Sequence, residues 1–363
     1  MIRKLSLLCG GSLLSLLLPV LLHADDLRWP QSAAASDGVL WFWEHGRAGG
    51  EILDAEGNPL RNSEGLFRGP SRMSWFLGLR PAGGFLEAVD AGPGLAQALM
   101  ETPSLHLEMV LHPPAEGPAQ GLLFWIGDFG DDLTWQLQIA EGRLLLQRAG
   151  EAVTDLGAAP LEAPRHLAVS LSPTEIRVRW DGGDPQTLAQ NRMPVIADEW
   201  DVVLTFGGAP GAENSWTGDL ERLLISTAAG APEAHAAHWR AAQAQREPPA
   251  VLSVLAEVSA IPAQPDVEAI LEYHNALMAT VWTLVEGELP GVAAGETFVS
   301  WHWYSLDRQV SQEPEPVGTR RRLHLSAAEQ HPQLEGVQQI TEPLDPADLL
   351  LLAEWYQLRS VAP

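Results

Sequence analysis

The run His166-Leu167-Ala168-Val169-Ser170-Leu171 passes through Ser172-Pro173-Thr174 into Ile176-Arg177-Val178-Arg179-Trp180 and closes on Asp181-Gly182-Gly183. These residues decide the fold. Both runs alternate, as half-buried strands do, and the closing glycines tolerate the positive φ of a tight turn. Working outward, the same pattern recurs. Leu105 to Leu111 alternates up to Pro113-Pro114, Leu122 to Ile126 is apolar between Gly121 and Gly127, and Leu133 to Ile139 turns through Glu141-Gly142 into Arg143 to Gln147. Val202 to Phe206 stops at Gly207-Gly208, and Trp216 to Ser226 follows. Short strands without helices between them predict a sandwich or barrel. The first expected helix is the alanine-rich Pro232 to Gln245, with proline near its start. Glu247-Pro248-Pro249 then breaks the chain. Strand-like runs resume at Val251 to Val258, Ala276 to Val285, Thr297 to Trp303 and Arg320 to Leu325, around a loop at Gln309 to Pro316. The tail Pro346 to Leu358 reads as helical or mixed.

The chain starts Met1-Ile2-Arg3-Lys4, runs apolar from Leu5 to Leu22, and reaches Ala24 just before Asp25-Asp26. A basic start, apolar middle and small exit residue are the layout of a secretory signal, so residues 1–24 are expected to be removed and the protein exported, periplasmic or extracellular. The rival is an uncleaved anchor, since the apolar run approaches the roughly 20 residues that span a bilayer; Gly10-Gly11 and Pro19 weaken such a span. Cys9 does not suit lipid attachment, because Leu8 before it is bulky and the apolar run before it short. No later stretch is long and apolar enough for a transmembrane span. Cleavage removes the one cysteine and the one lysine, leaving no thiol, disulfide or amine nucleophile, and shifts the formal charge of −25 to −27. An acidic surface of this size repels phosphate backbones, which disfavours nucleic acid. It also disfavours acidic polysaccharides unless calcium or a local arginine patch intervenes.

Residues 104–245 resemble the laminin-G-like branch of the concanavalin A-like lectin and glucanase fold. The resemblance is carried by Leu105 to Pro113, by His166 to Ser170 with Val178-Arg179-Trp180-Asp181-Gly182, and by Trp216-Thr217-Gly218-Asp219-Leu220 with Leu223-Leu224-Ile225. Asp37 to Glu44 and Ala276 to Trp303 are similar to flanking parts of exported bacterial envelope proteins of this kind. The resemblance implies a mainly β chain: a concanavalin A-like jelly-roll sandwich over residues 28–246, then a smaller β-rich domain over 250–363. It implies a fold rather than an activity, because lectins, enzymes and adhesive modules share it.

Catalytic residues are not legible. Glycan hydrolases of this fold type carry Glu-x-Asp-x-x-Glu, and Glu199-Trp200-Asp201 is followed by Leu204 where the second carboxylate belongs. A lyase of the fold needs a His/Tyr pair, but Tyr273, Tyr304 and Tyr356 all lie outside the sandwich. The histidines show no zinc spacing; His235 and His238 are three apart on the expected helix and read as packing or surface groups. Gly127-Asp128-Phe129-Gly130-Asp131-Asp132 is the candidate calcium loop, its three carboxylates being hard oxygen donors on a flexible turn, against a plain reading as solvated charge. Fourteen tryptophans stand against three tyrosines. Indole faces stack on sugar rings, so Trp41, Trp43, Trp125 and Trp135 are the candidate ligand-binding residues, against a plain reading as sandwich core. Trp41/Trp43 and Trp301/Trp303, each at spacing two, are expected to share a sheet face. Together these point to a non-catalytic module that binds a glycan or envelope polymer. The alternatives are a glycoside hydrolase or polysaccharide lyase on the same fold, and a structural envelope protein that docks a protein partner.

Overall fold

A computed structural model describes residues 38–44, 51–53, 59–127, 133–148, 150–190, 202–266, 270, 275–307, 309–342, 344 and 355–363. The chain is mainly β, with a two-sheet sandwich followed by a small barrel. The sandwich strands in chain order are β1 (Val39–Trp43), β2 (Glu51–Leu53), β3 (Pro59–Asn62), β4 (Glu64–Arg68), β5 (Arg72–Met73), β6 (Leu79–Arg80) and β7 (Phe85–Val89). After helix α1 (Ala91–Glu101) come β8 (Leu105–His112), β9 (Gly121–Gly127), β10 (Leu133–Ala140), β11 (Arg143–Arg148) and β12 (Thr154–Ala158). Then follow β13 (Arg165–Leu171), β14 (Glu175–Trp180), β15 (Gln186–Ala189), β16 (Val203–Phe206), β17 (Asp219–Ser226) and helix α2 (Pro232–Ala244).

One sheet runs β15-β14-β13-β8-β17-β6-β5, with β1 also on β17; the facing sheet runs β12-β11-β10-β9-β16-β7-β4. The deciding stretch forms β13 and β14, an antiparallel pair with Val169 opposite Val178. Its closing turn is left-handed at Asp181 and Gly182, with φ of 53° and 71°. Alternation sorts the side chains: Leu105, Leu107, Met109 and Leu111 of β8 enter the inter-sheet core with Leu167, Val169, Leu171, Leu223 and Ile225. Helix α1 was not foreseen. Gly92, Pro93 and Gly94 in its first turn are weak helix formers, and Gly92 lies against the Val202 carbonyl, which a Cβ would approach to 1.9 Å. Ala91 and Leu95 carry the helix's apolar contacts into the core.

The C-terminal strands are β18 (Leu252–Ala260), β19 (Ala276–Glu286), β20 (Thr297–Leu306), β21 (Gln309–Val310), β22 (Arg320–Ala327), β23 (Gln338–Ile340) and β24 (Trp355–Val361). The part of the tail that the structure describes is therefore strand. β18, β19 and β20 form an antiparallel meander, β20 pairs with β24 in parallel, and β24 runs antiparallel to β22, which returns to β18. That closed five-strand order is the Greek-key order of an OB-type barrel. Val254, Ala256, Val258, Trp282, Phe298, Leu323 and Leu325 fill it.

Candidate functional site

The second face of β8 carries His106, Glu108, Val110 and His112, and all four are buried. Helix α2 contributes to that covering. Glu108 accepts hydrogen bonds from His106 Nε2 at 2.8 Å, His166 Nε2 at 2.9 Å and His235 Nδ1 at 2.9 Å, so residues of β8, β13 and α2 converge on one carboxylate. Ser170 Oγ, 2.8 Å from His106 Nδ1, fixes that ring from behind. Burial alone would raise the Glu108 pKa, but the three imidazole donors hold it well below the usual carboxylate range. One strand away, Glu221 receives His112 Nε2 at 2.8 Å and Arg246 Nη1 at 2.7 Å, with a second contact from Arg246 Nη2. Burial opposes its charge too, and Arg246 followed by His112 outweighs it. Arg222, left-handed at φ 53° beside a bulge in β17, lies 3.3 Å from Glu221 and donates to His238 Nδ1 at 3.1 Å. The two carboxylates thus fasten the start of α2, through His235, and the chain just past its end, through Arg246. The ring nitrogens already touch the carboxylate oxygens, leaving no place for an ion between them. Among the described residues no group of His, Cys, Asp or Glu is arranged to hold a metal ion.

His112 is where this network reaches the surface. It lines a cleft of about 430 Å³ with Trp75, Phe76, Arg80, Glu116, Asp219 and Gln243. The turn that presents Trp75 is tightly fixed: Ser74 N–H donates to the Gly78 carbonyl at 2.7 Å, Leu77 N–H to the Ser74 carbonyl at 2.9 Å, and Leu77 is left-handed at φ 60°. Position 78 must be glycine, because a Cβ there would meet the Phe76 ring at 2.3 Å and the Leu220 carbonyl at 2.7 Å. Phe76 stacks on His112 with centroids 4.3 Å apart and meets Trp75 edge-on at 5.5 Å. Arg80 grips Asp219 through two hydrogen bonds of 2.7 Å, Nε to Oδ1 and Nη2 to Oδ2. Glu116 accepts from Arg359 of β24 at 3.0 Å, bringing the barrel to the cleft edge. A partly exposed indole beside planar hydrogen-bonding groups offers both apolar and polar contact to one ligand.

The tryptophans singled out in the sequence occupy other places. Trp41 and Trp43 do share a sheet face, the inner one, and each is 1% exposed. Trp41 donates Nε1–H to the Glu64 carbonyl at 2.8 Å and stacks on Phe206. Trp135, at 0% exposure, packs on Phe124, and Trp125, at 8%, faces the other way with Leu122, Val203 and Ala209. In this arrangement a sugar ring could reach Trp41, Trp43 or Trp135 only if the sheets parted. Asp128, Asp131, Asp132 and Glu199-Trp200-Asp201 lie outside the described residues, as do residues 1–24. Sequence reasoning missed Trp75, Arg80, His112 and Asp219. A signal existed for Trp75, which stands in the non-alternating stretch Ser74-Trp75-Phe76-Leu77-Gly78 rather than in a strand.

No family model matches the chain, and no curated protein matches it. Among solved structures it is similar to a Trypanosoma rangeli sialidase in complex with 2,3-difluoro-KDN, at 15% identity and a TM-score of 0.40 over 57% of this chain and 33% of that one. It is also similar to domain 4 of AbnA, a GH43 extracellular arabinanase from Geobacillus stearothermophilus, in complex with arabinotriose, at 13% identity and a TM-score of 0.40 over 55% and 98%. A third similarity is to the CBM40 of Ruminococcus gnavus IT-sialidase bound to alpha2,3 sialyllactose, at 15% identity and a TM-score of 0.35 over 55% and 98%. The chain spans about a third of the length of the sialidases it matches. Among the described residues no helix is long and apolar enough to cross a membrane.

Proposed function

We propose that the chain is an exported, non-catalytic recognition protein whose laminin-G-like sandwich binds a glycan or cell-envelope polymer in the Trp75 cleft. The leader is residues 1–24, the sandwich extends to Arg246, and Glu247-Pro248-Pro249 joins it to the barrel over 250–363. One observation carries the binding reading: a partly buried indole that reaches the surface on a braced turn, at a cleft that also holds the Arg80–Asp219 pair. Of the described tryptophans, only Trp75, Trp180 and Trp303 escape full burial, and only Trp75 lines this cleft. A hydrolase needs two carboxylates at the scissile bond, one of them free to donate a proton. Here Asp219 is held through both oxygens by Arg80, and the cleft's other carboxylate, Glu116, is an exposed group in a surface ion pair with Arg359, so no second buried carboxylate faces Asp219 among the described lining residues, which favours recognition over turnover. Calorimetric titration of the mature protein with a panel of envelope and plant oligosaccharides, with calcium and with chelator, tests the reading. Binding lost in Trp75→Ala supports it; binding indifferent to that substitution contradicts it.

A further inference from the structure

The Trp75 cleft lies at the common end of three neighbouring strands, β8, β17 and β6. Asp219, first in β17, stands opposite His112, last in β8, and Arg80 ends β6. Four of the residues that line the cleft can carry charge: Arg80, His112, Glu116 and Asp219. Each is matched within the protein. Arg80 holds both oxygens of Asp219 at 2.7 Å, Glu116 meets Arg359 at 3.0 Å, and His112 turns Nε2 to Glu221 at 2.8 Å. With histidine neutral, two guanidinium groups answer two carboxylates at the cleft, in a chain whose formal charge is −25. A carboxylate entering here would leave water and meet Asp219 and Glu116 as like charges, beside a guanidinium already engaged by Asp219. A hydroxyl loses less on leaving water, and it can both donate and accept. Arg80 uses Nε and Nη2 on Asp219, yet its side chain remains 42% exposed, so further N–H groups of the guanidinium stay open to a ligand. The Asp219 side chain is 11% exposed, and each of its oxygens keeps a second lone pair. A donor and an acceptor side by side in one plane match two neighbouring hydroxyl groups of a sugar ring.

We infer that the Arg80–Asp219 pair reads adjacent hydroxyl groups of a sugar ring stacked on Trp75, and so makes the cleft take uncharged glycans in preference to uronates. The inference rests on the cleft being the glycan site. Arg80 donates to one hydroxyl and Asp219 accepts from its neighbour. The mutual neutralisation of the pair is what turns a carboxylate away.

The test is calorimetric titration of the mature full chain with two neutral probes, a 4-linked glucan and a 4-linked galactan oligosaccharide. Each is set beside its uronate of equal length, made by oxidising the primary hydroxyls. The tighter neutral probe is expected to bind at least about tenfold more tightly than its uronate, the scale of one unmatched charge. That ratio should persist at about 1 M salt, where charges beyond about 3 Å are screened and the acidity of the remaining surface no longer acts. Asp219→Asn leaves Arg80 unmatched and should bring the neutral-to-uronate ratio to about one or below. Arg80→Gln, which decides the matter should the first variant not fold, should weaken the neutral probe by about tenfold and still exclude the uronate. Arg177→Gln, at a residue paired with Glu175 on β14, should leave the ratio as in the wild type. A wild type that prefers a uronate, a ratio that vanishes at high salt, a ratio unchanged in Asp219→Asn, or full neutral affinity in folded Arg80→Gln overturns the inference. Uronate binding that is lost in Trp75→Ala overturns the uncharged preference alone. Binding indifferent to Trp75→Ala, or absent for every probe, overturns the cleft reading as well.

Discussion

Two buried histidine environments in this chain behave in opposite ways. Under α2, His106, His166 and His235 each donate a hydrogen bond to one carboxylate, and Glu108 stays charged because three donors replace its water. Inside the barrel, neither ring nitrogen of His302 has a hydrogen-bond partner among the described residues, and burial pushes its pKa down to about 4. The residue type is the same; the difference is whether the fold supplies an acceptor. A buried polar group with partners fastens elements together, and one without them sets a condition on the solvent in which the domain stays folded.

The largest effect should come from breaking the first environment. Glu108→Ala leaves three imidazole N–H groups facing one another without an acceptor and is expected to cost about 3–5 kcal/mol, the range for removing one partner of a buried charged network. Denaturant melts measure it, and a loss below about 1 kcal/mol would mean that α2 is held by apolar packing instead.

The second environment predicts how the two halves part in acid. His302 has a folded pKa of about 4 against an ordinary 6.5. Below pH 6.5 the unfolded chain takes a proton that the folded barrel refuses, so barrel stability falls as pH drops from 6.5 to 4. The loss reaches about 3 kcal/mol. His331, pushed to about 4 by burial and then by Arg80, adds in the same direction. Glu108 acts with the same sign in a lower window: its folded pKa is depressed, so the α2 clamp starts to lose stability only as the pH falls through the usual carboxylate range, below the histidine window. Hydrogen exchange at pH 7 and pH 5 should therefore show β18–β20 losing protection before β8 and β13. His302→Leu should shrink that difference. Equal loss in both halves would mean that acid acts on neither environment separately.

These contrasts also mark how far the sequence can be read. Strand β8 was legible because alternation is a local property, and so was the β10–β11 hairpin through Glu141-Gly142, both left-handed in the fold. Spacing two placed Trp41 and Trp43 on one face, but periodicity does not say which face is buried, and theirs is the core. Four of the barrel's five strands were legible, but β24 falls in the tail read as helical or mixed, and the closure was hidden, since the parallel pairing of Ser300 with Trp355 joins residues far apart in the chain. The cleft was hidden for the same reason: residues 75, 80, 112, 219 and 243 meet only after β6, β8 and β17 have paired in one sheet and α2 has packed on it. Arg246 read as the residue before a linker, and it proved to be an anchor for Glu221.

The smallest stability effect is expected at the residue that matters most for function. Trp41→Ala should cost about 3–5 kcal/mol, as removal of a fully buried aromatic does. Trp75→Ala should cost far less, about 1 kcal/mol, because its ring is only partly buried and its turn is held by backbone hydrogen bonds. A Trp75→Ala protein that unfolds as easily as Trp41→Ala would make Trp75 a core residue and remove the platform.

The most direct measurement is the affinity of the mature protein for its tightest-binding oligosaccharide, compared between wild type and Trp75→Ala at equal folded fraction. The cleft account predicts a loss of about tenfold or more in a variant that melts like the wild type, the scale of a lost aromatic contact. Full affinity in folded Trp75→Ala would contradict it and place the binding surface elsewhere on the molecule.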